Sequence, residues 1–96
     1  MGKIIIERGW AGRNFAKASK TGDRALFPIE LEQAGIMLKM HLSLLRHAIE
    51  VGELNGIPTP NVYKDLGKLY FALGELEAFC KAMADKQRSE PLLSND

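Results

Sequence analysis

The chain has 96 residues, 46% of them apolar and 26% charged, the balance of one soluble globular domain rather than of a disordered chain. Thirteen Lys and Arg against twelve Asp and Glu leave a net charge of +1, and the single cysteine, Cys80, excludes an internal disulfide framework and any Cys-based zinc site. No apolar run approaches the roughly 18 residues needed to span a bilayer, and the run Ile4 to Ile6 is too short for a secretory core, so a cytoplasmic protein without membrane contact is expected.

The near-neutral total hides an asymmetry. Residues 1–24 carry six bases against two acids, and residues 25–96 seven bases against ten acids, so a basic front precedes a mildly acidic body. The front opens with Lys3-Ile4-Ile5-Ile6-Glu7, whose β-branched run predicts a short strand over residues 3–7. Gly9 and Gly12 are expected to break regular structure, Asn14 to Lys20 to form a weak helix, and Thr21-Gly22-Asp23 to turn. Residues 1–27 thus read as a basic, partly extended N-terminal arm.

From Pro28 the spacing becomes helical. Leu31, Leu38, Leu42, Leu45 and Ile49 form the seam of a helix over about residues 28–54, while Glu32, Lys39, Ser43, Arg46, Glu50 and Glu53 collect on its wet face. Asn55-Gly56 reads as its left-handed exit. Val62, Leu66, Leu69, Leu73, Leu76, Cys80 and Met83 predict a second helix over about residues 60–88, with 89–96 as a loose tail. Gly67, Gly74 and Ala78 would let another helix approach closely. The expected fold is all-α: a long antiparallel two-helix hairpin behind the basic arm.

Such a hairpin leaves a second apolar row of helix one, Ile36, Met40, Leu44 and Val51, without cover. A second copy would cover it in a four-helix arrangement, making a homodimer with these four residues at the dimer or partner interface. The lone strand makes the same argument: Ile4 to Ile6 must pair with its symmetry mate, join a partner's sheet, or pack in an extended conformation on the hairpin.

Chemistry is sparse. His41 and His47 are six apart, about 120° around a helix, which spoils a metal site; His47 with Glu50 supplies only two ligands. There is no Ser-His-Asp arrangement and no phosphate loop, and Cys80 sits in a helix seam, so no enzyme activity, metal or cofactor is expected. The expected function is protein binding through Arg8, Trp10, Arg13, Phe15, Lys17 and Lys20, since a Trp flanked by Arg has the composition of an interface hot spot. The alternative is nucleic-acid binding by the same arm, with cations for phosphates and rings for bases. Gly9-Trp10-Ala11-Gly12 has the Gly-x-x-Gly spacing of a KH loop, but the flanking elements of that domain are missing. A third reading is an assembly subunit whose helices complete a larger bundle. In size, and in its Glu7-Arg8-Gly9-Trp10-Ala11-Gly12 opening, the chain resembles the small accessory proteins of phages and mobile elements, which implies an inhibitor that blocks a host protein or nucleoprotein complex.

Overall fold

The computed structural model describes residues 3–89, and over them the chain is mixed α/β. In order it forms strand β1 (Ile4–Ile6), helix α1 (Trp10–Thr21), a 3-10 turn (Arg24–Leu26), strand β2 (Pro28–Glu30), helices α2 (Leu31–Leu38) and α3 (Leu42–Val51), the short strands β3 (Glu53–Leu54) and β4 (Ile57–Pro58), strands β5 (Val62–Asp65) and β6 (Lys68–Ala72), and helix α4 (Leu73–Ser89). One sheet has the order β1-β5-β6-β2, with β1 parallel to β5 and the other neighbours antiparallel; β3 and β4 pair separately.

The all-α expectation is therefore wrong, and the four-helix bundle goes with it. The predicted helix over 28–54 is two helices flanked by the short strands β2 and β3. Lys39 adopts a left-handed conformation (φ 55°) and its amide bonds back to the Gly35 and Ile36 carbonyls, ending α2; the chain turns through Lys39 to His41 before α3 starts. The step of four from Leu38 to Leu42 preserves the helical spacing across this turn, so the seam reads as unbroken although the helix is not. The exit from α3 is Gly52 (φ 93°), whose amide reaches Ala48 O at 2.7 Å. Asn55 and Gly56, both at positive φ, form the two-residue loop of the β3–β4 hairpin instead.

The predicted helix over 60–88 begins only at Leu73. Before it, Val62 to Ala72 is a β-hairpin closed by Leu66 (φ 52°) and Gly67 (φ 83°), two successive left-handed residues whose twist suits a two-residue loop. Tyr63, Tyr70 and Phe71 are β-formers that the Leu and Val spacing had masked. Gly74 does admit a close neighbour, since a Cβ there would stand 2.7 Å from Ala25 Cβ, but the neighbour is the 3-10 turn and not a helix. Residues 90–96, most of the expected loose tail, lie outside the described residues.

Strand register assigns the two sheet faces. Tyr63 pairs with Tyr70, so Val62 and Phe71 point the opposite way. On the Val62–Phe71 face the core joins Ile29 with Leu31, Ala34, Leu45, Ile49, Leu73 and Leu76, which seats α2, α3 and the start of α4. On the other face α1 packs through Trp10, which is 6% exposed and stacks on Tyr63 with ring centroids 4.0 Å apart.

Candidate functional site

Helices α2 and α3 form a helix–turn–helix: eight and ten residues joined by Lys39, Met40 and His41. Apolar spacing explains the seating of each helix. Leu31 and Ala34 turn inward from α2, and Leu45, Ala48 and Ile49 from α3. With that face buried, α3 presents Ser43, Arg46, His47 and Glu50 to solvent along one stripe. The β5–β6 hairpin stands beside it. Arg46 of α3, Lys64 of β5 and Lys68 of β6 line a single open cleft of about 330 Å³ whose other walls include Glu30 and Glu32. Among the described residues none of these three cations is held in an ion pair.

The other sheet face is fixed by Asp65. Its carboxylate, 7% exposed, accepts from the Gly9 amide at 2.8 Å and the Ala11 amide at 3.1 Å, capping an α1 N-terminus that has no cap of its own. The Tyr63 hydroxyl donates to the Glu75 carboxylate at 3.3 Å. Burial, and then the Glu75 charge, push the Tyr63 phenol above its ordinary value.

The residues singled out from sequence fall into separate places. Trp10 is core, leaving little surface to offer a partner. Arg8, Arg13, Lys17 and Lys20 are exposed; Arg13, Lys17 and Lys20 share one stripe of α1, and Arg13 pairs with Glu7. Phe15 packs on Phe27 with centroids 5.4 Å apart, both partly exposed. Because α1 and α3 lie on opposite sheet faces, this basic stripe and the α3 stripe do not form one surface. Ile36, Met40, Leu44 and Val51 are divided among α2, the turn and α3. Met40 and Leu44 join Met37, Leu54, Cys80 and Met83 around an apolar groove of about 450 Å³, which neither Ile36 nor Val51 lines. Burial, and then Glu77, raise the Cys80 thiol pKa above its ordinary value, which keeps the thiol protonated and slow to react. Among the described residues no helix is long and apolar enough to cross a membrane.

Comparison with family models, with curated proteins and with solved structures finds no match. Function must be read from the site itself. Sequence reasoning placed Arg46 on a wet helical face but missed Lys64 and Lys68, whose signal was the Leu66-Gly67 break between Tyr-containing runs. Asp65 carried no local signal, since the amides it caps lie 54 and 56 residues away.

Proposed function

We propose that the protein binds duplex DNA, with α3 as the helix that enters the major groove and the β5–β6 hairpin as a flanking backbone contact. The observation that carries this reading is the cleft that Arg46, of the second helix of a helix–turn–helix, lines together with Lys64, which shares the α3 face of the sheet, and with Lys68 at the end of the hairpin. An exposed helix of that motif fits the major groove, and its outward side chains meet base edges. Arg46 suits guanine, which offers two acceptors to a guanidinium, while Ser43, His47 and Glu50 supply further donors and acceptors. Lys64 and Lys68 supply sequence-independent attraction for phosphates, and Glu30 and Glu32 discourage anions from settling deeper in the cleft.

Fluorescence anisotropy with labelled random-sequence duplex, across a salt series, tests the reading. Binding should weaken steeply with salt, and Lys64→Ala or Lys68→Ala should each reduce the slope of log K against log salt by about 1. Selection on a randomised duplex should yield a preferred site, for which Arg46→Ala costs about 1–3 kcal/mol. Absence of duplex binding at low salt, or binding indifferent to all three substitutions, overturns the proposal. A second reading keeps the protein partner, and the partly exposed Phe15–Phe27 pair beside the basic stripe of α1 favours it; chains that fail to bind duplex would move to this reading.

A further inference from the structure

The outer edge of β1 is an open strand. Val62 N–H donates to Lys3 O and Glu7 N–H to Lys64 O, so odd-numbered residues of β1 face β5. Strand alternation then turns the N–H and C=O groups of Ile4 and Ile6 away from the sheet. Their side chains are 52% and 78% exposed. The opposite edge is blunted, because β2 begins with Pro28, which has no N–H to donate. Among the described residues nothing comparable protects β1, which carries three consecutive isoleucines and no proline.

From this edge we infer that two copies of the chain pair antiparallel through β1, about a two-fold axis at Ile5, and form one continuous eight-stranded sheet. The order Lys3-Ile4-Ile5-Ile6-Glu7 is self-complementary in that register. Ile4 faces the partner's Ile6 as a hydrogen-bonded pair, so the outward groups of both residues are satisfied in both copies. Ile5 faces the partner's Ile5. Lys3 faces the partner's Glu7, which sets opposite charges against each other at both ends of the short ladder. A shift of one residue in either direction would set Lys3 or Glu7 against an isoleucine. Charge and hydrogen bonding are thus satisfied in the same register, and a second copy of this chain supplies both. This pairing is independent of DNA binding.

Sedimentation equilibrium of the full chain, without nucleic acid and from micromolar to about 1 mM protein, tests the inference. The mass should rise from one chain to two across that range. Ile4→Pro removes an outward N–H while leaving the bonds from Lys3, Ile5 and Glu7 to β5, and should give one chain with unchanged circular dichroism. Lys3→Glu sets acid against acid at both ends and should raise the dimer Kd about ten-fold, and adding Glu7→Lys should restore it. One chain at every concentration overturns the inference. So does a dimer whose Kd ignores both Ile4→Pro and Lys3→Glu, which places the contact elsewhere. If Ile4→Pro unfolds the chain, the charge reversal and its restoration decide alone.

Discussion

The Asp65 carboxylate sits at the positive end of the α1 dipole, while its backbone belongs to the strand beside the hairpin turn. One side chain thus ties α1 to its sheet face: it holds the start of α1 beside the place where Trp10 meets Tyr63. Asp65→Ala would leave the Gly9 and Ala11 amides without their acceptor and should cost about 1–3 kcal/mol, read as a lower urea midpoint. Gly9 and Ala11 donate to different oxygens of the carboxylate, so Asp65→Asn keeps one acceptor, loses the other along with the charge, and should have a midpoint between those of the wild type and Asp65→Ala. Equal loss in both variants would mean that a single neutral acceptor contributes nothing to the cap.

At the scale of the elements, the β5–β6 hairpin puts Leu66 in a left-handed conformation and leaves it 77% exposed. A leucine has no reason to be there by its own preference, since the left-handed region costs a residue with a Cβ about 1 kcal/mol, and asparagine tolerates it better. Leu66→Asn should raise stability by about 0.5–1 kcal/mol in the same urea titration. The same turn shows why the sequence misled. Leu66, like Leu38 and Leu42, falls on a helical spacing, and apolar residues three and four apart look alike whether they line one helix, step across a turn or alternate along strands. The Ile4 to Ile6 run was legible because β-branched residues in succession have one local reading. The turn at Lys39 was not, because a lysine at positive φ is imposed by the packing of α2 against α3 and leaves no mark in the residue itself. Asn55-Gly56 was seen as a left-handed pair, but strands of two residues are too short to reveal that it joined them. Of the candidate site, the wet face of α3 was legible; its meeting with Lys64 and Lys68 exists only once the sheet is assembled.

For the whole molecule, the sheet separates a helix–turn–helix face from an α1 face, and residues 3–24 are structural on the second. Deleting them would bare Tyr63 and Tyr70 and strip β5 of its parallel neighbour. The shortened chain should melt at a lower temperature and bind the dye ANS, whereas a merely appended arm could be removed with neither change. Antiparallel pairing through β1 would place both α3 helices on the same side of the joint sheet, related by the two-fold axis, so a preferred duplex should read as an inverted repeat. The parallel union of β1 with β5 also has a consequence for the order of events in synthesis. The Lys3 amide bonds to Asn61, 58 residues further on, and no intervening strand of this sheet lies beside β1. As a nascent chain leaves the ribosome, the isoleucine run emerges ahead of β5 and waits for it. Closing that long loop is the slow step that topology imposes, and until it happens the stickiest segment of the chain is open to other newly made strands.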